Sequence, residues 1–356
     1  MAGTPLVRGL QWLWPAKPPM PGAVWVVATH ESAHAASGFL RDLATHLKPP
    51  LAVLLLDEGP YQGPWPWALS PGLGPKRVVS RLKPEGLVIL DDHPLARGMA
   101  RQGSCPVSWI NARSPDLLSL GRVTVDSEVQ AAMIGGGLVT GNPCLNWPPL
   151  TCVDDAFCSR FHSVRKAGRW IIYFAATVPG EETLAYATFL NISARSGGLL
   201  ALAPADALRH EEVYRESIKY HLLTTRQKRL ITSEVPPKTR VYYIEEESAR
   251  RAMYACADAI VVGGTFAEGP TEAWIALSAG VPVLVGPRRL DPLVRAAVLA
   301  GVVIACDHEA SLTAEAAKLM ADPAVREDRA TSLRDWVALQ AGARSRVAAL
   351  VAADFS

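Results

Sequence analysis

No stretch of this 356-residue chain supplies the ~20 consecutive apolar residues that a bilayer-spanning helix needs. An excess of charge of one sign is also missing. Lys and Arg number 36 against 34 Asp and Glu, for a formal net charge of +2. The basic residues are scattered, which argues against the clustered face of a nucleic-acid binder. Cysteine is scarce and does not cluster. Cys105, Cys144, Cys152, Cys158, Cys256 and Cys306 form no C-x-x-C pair and have no His-rich neighbour, so no zinc site is expected. The opening MAGTPLVRGLQWLWPAKPPMPGAVWVV has no charged region followed by an apolar core and a small-residue cleavage site. With no export signal read, the cysteines are expected as reduced, mostly buried thiols. Low-complexity tracts and short-period repeats are absent too.

What is present is a globular composition, 49% hydrophobic and 20% charged, in a chain long enough for two domains. Runs rich in Val, Ile and Leu alternate with helical patterns. AVWVVAT (23–29), LAVLLLD (51–57), GLVILDD (86–92), CPVSWINA (105–112) and GRVTVDSE (121–128) form one series of strands. RWIIYFAAT (169–177), GLLALAP (198–204), RVYYIE (240–245), DAIVVGG and GVPVLVGP form a second. Continuous apolar strands between helices predict parallel sheets covered on both faces. The fold class is therefore α/β with two doubly wound, Rossmann-like domains: 1–160, 161–335, and a C-terminal helix at 336–356 that crosses back to the first. The seam lies near 143–168, where prolines break the periodicity. A loop rich in proline and glycine is expected at 58–74. The LVRGLQWLW segment, with Trp12 and Trp14, reads either as core packing or as an interfacial membrane contact.

Doubly wound sheets bind ligands outside the carboxyl ends of their strands, so residues just after strands are read first for function. Glu31, in THESAH, is either a helix-start acid or a general base. His30 and His34 could share that work or hold a metal, but no third ligand is in view. Asp91 and Asp92 are adjacent carboxylates, an arrangement that either raises one pKa or caps a turn. Gly141 and Asn142 suit a tight turn. Gly180 opens a helix whose N–H groups can receive an anion, and Glu181 and Glu182 complement its dipole. Gly263 and Gly264 end an apolar run with no packing reason visible in the sequence, and would let a ligand approach the backbone. Thr265 offers a hydroxyl. Glu272 is either a ribose ligand or a first-turn acid.

At these residues the chain resembles the 3-deoxy-D-manno-octulosonic acid (Kdo) transferases, bacterial enzymes of lipid A glycosylation. AVWVVATHES is similar to that family's first strand and its S-x-G-E. KPEGLVILDDHP resembles the strand leading to E-x-E-L-W-P. CPVSWINARS resembles P-V-x-x-x-N-A-R, and LVTGNP resembles V-T-G-N-L-K-F. WIIYFAATVPGEE, LLALAP, ADAIVVGGTF and GVPVLVGP resemble the second-domain segments, in order. The resemblance implies a GT-B architecture, two Rossmann-like domains facing a central cleft. It implies an inverting transfer of a sugar acid from a CMP-activated donor to a lipid-linked hydroxyl. No metal or other cofactor is implied, and no nucleic acid. Glu31 falls at the catalytic base, with Ser32 the other residue near that place. Asp91 and Asp92 stand for the acidic motif. Gly180, Glu181, Pro204, Ser248, Gly263, Gly264, Thr265 and Glu272 stand around the nucleotide. The implied location is cytoplasmic, peripheral on the inner face of the bacterial inner membrane.

The departures are two cations. The lysine of G-N-L-K-F falls on Cys144 and the arginine of A-P-R-H on Ala205, with Arg209 or His210 one turn on. Their loss keeps two other readings open. One is a homologue that binds without catalysing. The other is a GT-B transferase with a different donor, since TEAWIALSAGVPV resembles the E-A-x-A-x-G-x-P-V run of other nucleotide-sugar transferases.

Overall fold

The computed structural model describes residues 20, 22–59, 61–70, 74–145, 155–230, 234–288 and 291–355. Trp12 and Trp14, parts of the 58–74 loop and part of the 143–168 seam lie outside these residues. The chain forms two compact units, Met1–Trp147 with Ala338–Ser356, and Pro148–Val337.

In the first unit the strands are β1 (Val24–Ala28), β2 (Leu51–Leu55), β3 (Trp67–Leu69), β4 (Gly86–Ile89), β5 (Val107–Trp109), β6 (Arg122–Val125) and β7 (Leu138–Val139). They pair in parallel in the order β3-β2-β1-β4-β5-β6-β7. Alternate residues of each strand feed two separate cores. Trp25, Val27, Leu54 and Ile89 pack with Val78, Leu82 and Met99 of the helices Pro75–Leu82 and Pro94–Ala100. Val24, Val26, Val53 and Val88 pack on the other face with Phe39, Leu40, Val347 and Val351. Both faces being buried explains why these strands read as unbroken apolar runs.

The second unit repeats the plan with β8 (Trp170–Thr177), β9 (Gly198–Pro204), β10 (Thr224–Arg226), β11 (Val241–Tyr243), β12 (Ala259–Val262), β13 (Val283–Val285) and β14 (Ile304–Ala305). Their parallel order is β10-β11-β9-β8-β12-β13-β14. Sequence analysis missed β3, β10 and β14. β3 lies inside the loop expected at 58–74. Each has only two or three residues, and their short or half-exposed runs carry no apolar period.

The helix Pro323–Ala341 runs from the second unit into the residues of the first. Gln340 accepts from Asn142 N–H (2.7 Å) and donates to the Asp126 carbonyl (3.0 Å). The last helix, Ala343–Ala352, packs on the helix Ser37–His46. One expectation is corrected. Cys158 and Cys256, expected as thiols, form a disulfide across 98 residues of sequence, joining the helix Asp155–Cys158 to the turn after Glu247–Met253.

Candidate functional site

In a doubly wound sheet the binding crevice opens where the strand order reverses. In the first unit that point lies between β1 and β4. Thr29 ends β1 and caps the helix His30–Ala35, its hydroxyl accepting from Ser32 N–H (3.3 Å). Asp91, just after β4, reaches across. Its Oδ2 accepts from Thr29 N–H (2.7 Å) and Oγ1 (3.1 Å), and its Oδ1 from the Ser32 hydroxyl (2.7 Å). Asp57, after β2, accepts from His30 N–H (2.7 Å) and pairs with His30 Nδ1 (2.8 Å). The carboxylate of Asp92 is held by Arg97 Nε (2.5 Å) and Nη2 (2.6 Å), and these hydrogen bonds lower its pKa. Asp91 and Asp92, read as candidate catalytic residues, are thus engaged with the helix start and with Arg97 respectively. Glu31 differs. It is exposed in the first turn of its helix and makes no hydrogen bond or ion pair with a described residue. Among the described residues no group of three metal-capable side chains converges.

Next to this edge, Asn111 holds a left-handed backbone (φ 54°) and donates to Asn142 Oδ1 (2.6 Å), which also accepts from Cys144 N–H (2.9 Å). Burial pushes the Cys144 thiol up to about 12. The Asp91 charge adds to that rise and the Arg344 charge works against it. Arg344, from the last helix, is thus a cation whose charge acts on position 144, where the resemblance expects a lysine.

In the second unit the order reverses between β8 and β12. The clamp here comes from the other side. Glu181, the first residue of the helix Glu181–Ser196, is buried, and its carboxylate accepts four backbone N–H groups. They are Val178 (3.0 Å), Gly264 (2.9 Å), Phe266 (2.9 Å) and Ala267 (3.1 Å). Glu181 fills the anion seat of the loop after β12. Thr265 is fully buried, donating to the Val262 carbonyl (2.5 Å) and accepting from Gly286 N–H (2.9 Å). The glycines also have a packing reason that the sequence hides. A Cβ on Gly263 would stand 2.1 Å from the Ala176 carbonyl oxygen, and one on Gly264, at φ +71°, would stand 2.5 Å from that of Pro270. Their backbone is approached by the protein's own backbone. Ala176 itself is left-handed (φ 52°), beside an irregularity in the β8–β9 pairing.

What stays open in this unit lies around that loop. Gly180, at φ +97°, begins the helix with no side-chain cap, and a Cβ there would meet nothing within 4 Å. Glu182 is buried, accepting from Thr177 (2.9 Å) and from both Arg209 terminal nitrogens (2.8 and 3.1 Å). Glu272 stands at the N-cap position of the helix Ala273–Ser278 without a side-chain capping bond, and is partly exposed. Its two oxygens accept from Arg250 Nη2 (2.7 Å) and the Tyr254 hydroxyl (3.0 Å). Arg250 Nη1 donates to the carbonyls of Ala205 (3.1 Å) and, at the long limit, Pro204 (3.4 Å). One guanidinium thus ties together the ends of β9, β11 and β12. Sequence reading missed Arg250 and Tyr254, because nothing in ESARRAMYAC marks two side chains that meet Glu272 some twenty residues on. Ser248 is exposed and bonds no described residue.

Two strand-reversal points, each built from loops at the carboxyl edge, define a two-unit, doubly wound α/β chain. The chain is distantly homologous to the 3-deoxy-D-manno-octulosonic acid transferase of Bordetella pertussis, with 28% identity over 186 residues, 50% of this chain. The match spans 43% of that relative's length. No protein-family model matches the chain. Among solved structures, the C-terminal CMP-Kdo binding domain of WaaA from Acinetobacter baumannii has a TM-score of 0.46 at 18% identity, over 52% of this chain and 99% of that one. The MurG structure from Acinetobacter baumannii has a TM-score of 0.48 at 12% identity, over 93% and 99%. Scores this low carry no inference about activity.

Proposed function

We propose that this chain is a GT-B glycosyltransferase of the Kdo-transferase kind, moving a sugar acid from a CMP-activated donor to a lipid-linked hydroxyl. The observation that carries the reading is the homology to the Bordetella enzyme. The site adds support. At the strand ends of the first unit Asp57, Asp91 and Asp92 are engaged, whereas Glu31, like the exposed Glu58 after β2, is not engaged by a described residue. Glu31 takes the proton of the acceptor hydroxyl. The freed oxygen attacks the anomeric carbon, and the bond to the CMP phosphate breaks with its electron pair on CMP. The donor lies on the second unit, its phosphate toward the open helix start at Gly180 and its ribose toward Glu272 and Ser248. Glu181, Gly263, Gly264 and Thr265 shape that seat from behind. Pro204 adds its end of β9. The acceptor lies on the first unit. Among the described residues no helix is long and apolar enough to cross a membrane. In this reading the acceptor lipid is met by peripheral contact at the cytoplasmic face of the inner membrane.

The cations lost at 144 and 205 favour one second reading, a homologue that binds the nucleotide without turnover. Arg209 does not replace the arginine as a free charge, because it pairs with Glu182. Calorimetric titration with CMP, UMP and UDP on wild type and Glu272→Gln tests the donor site. We expect CMP to bind best and the variant to weaken it about tenfold, the size of one charge-assisted hydrogen bond. Preference for UDP would change the donor. Binding of no nucleotide would overturn the assignment.

A further inference from the structure

A second concavity lies in the first unit, away from the carboxylate clamp. It is a pocket of about 360 Å³ walled by His34, Ser37, Gly38, Arg41 and Arg344. Three side chains that carry or can take positive charge converge there, and no carboxylate is among the described residues that line it. They come from separate places in the sequence. His34 ends one helix, Arg41 sits in the next, and Arg344 arrives from the C-terminal helix some 300 residues later.

The placement of Arg344 is specific. A Cβ on Gly38 would stand 2.7 Å from the guanidinium carbon and 3.0 Å from each terminal nitrogen. The guanidinium therefore lies flat across a position that only glycine leaves open, although position 38 is inside a helix, where glycine is otherwise disfavoured. Arg344 also makes an interaction of its own. The pocket also adjoins Glu31. Residues three and four apart share a helix face, so Glu31 sits one turn from His34 and Ala35, which line the rim.

We infer that this pocket is an anion subsite that takes a phosphate or carboxylate group of the acceptor and thereby holds the acceptor hydroxyl near Glu31. The fork of Arg344 and the charge of Arg41 suit a tetrahedral or planar oxyanion. This rests on the acceptor lying on the first unit, but anion binding is measured without donor or turnover.

Inorganic phosphate is titrated by calorimetry at low salt into the full chain, with acetate as the carboxylate arm. Vesicles of phosphatidylcholine with and without phosphatidic acid form the lipid arm. Arg41→Gln, Arg344→Gln and Gly38→Ala are compared with wild type. Gly38→Ala is the decisive variant. Alanine suits the helix and leaves every charge in place, yet it must displace the guanidinium. We expect wild type to bind phosphate, each variant to weaken it at least fivefold, and all to keep wild-type CMP binding. Tighter phosphate than acetate assigns a phosphate. Vesicle binding that needs phosphatidic acid and is lost in the same variants places that phosphate on a lipid headgroup. If Arg344→Gln does not fold, Gly38→Ala and Arg41→Gln decide. No anion binding by folded wild type, or equal binding in Gly38→Ala and Arg41→Gln, would overturn the inference. Loss of CMP binding with anion binding intact would instead indict the donor assignment.

Discussion

Both units carry a carboxylate across the point where their strand order reverses, and they supply it from opposite sides. In the first unit the acid follows the fourth strand in sequence, Asp91, and bonds the start of the helix after β1. In the second, the acid belongs to the helix after the unit's first strand, Glu181, and bonds the loop after β12. The consequence falls on the acids at the two helix starts. Where Asp91 satisfies the helix start, Glu31 is left facing solvent. Where the helix acid must satisfy the loop, Glu181 is consumed and Glu182 is turned to Arg209. Residues alike in type and position thus separate into a group available for chemistry and a group that holds the backbone.

The largest test of that contrast is Glu181→Ala. It orphans four N–H groups, three of them in the loop after β12, and should cost on the order of 4 kcal/mol in denaturant unfolding. Glu31→Ala should stay within ~0.5 kcal/mol of wild type. Next comes Gly263→Ala. The added carbon meets the Ala176 carbonyl of the neighbouring strand end, which cannot swing aside as a side-chain tip can. A loss of about 2–3 kcal/mol is expected, with the first unit unaffected if the two melt separately. Asp91→Ala should cost roughly 2 kcal/mol by unsatisfying Thr29 and Ser32, and should lower the melting of the first unit.

The smallest effect is one of pH and belongs to the second unit alone. Burial lowers the His210 pKa from its ordinary 6.5. The folded state therefore resists a proton that the unfolded chain accepts. Stability from this source is whole above pH 6.5 and declines as pH falls through the folded pKa. Unfolding midpoints at pH 7.5 and 5.5 should differ less in His210→Gln than in wild type. An equal difference would remove His210 as the cause.

The double series of parallel strands was legible because strands buried on both faces announce themselves as continuous apolar runs. The rule that ligands gather at strand ends led to Glu31, Asp91, Glu181 and Glu272 without any coordinates. The division of labour among them was not legible. Asp91 is 62 residues from Thr29, and Glu181 is 83 to 86 from the N–H groups it accepts after β12. A window of sequence shows an acid beside a helix start and not the donors that come to it. Gly263 misled for the same reason, since its crowding comes from Ala176, far back in the sequence. Arg250 and Arg344 were hidden more fully. Each is one arginine in a helix that is rich in them, distinguished only by where the fold brings its guanidinium.

The most direct measurement is turnover by Glu31→Gln, followed as release of CMP from a CMP-activated sugar acid in the presence of a lipid-linked acceptor. CMP affinity and the unfolding midpoint are measured on the same samples. The account predicts that affinity and midpoint hold while release falls by ~10²-fold or more, the scale of a lost general base. Undiminished release in Glu31→Gln, or none from folded wild type that binds CMP, would contradict it.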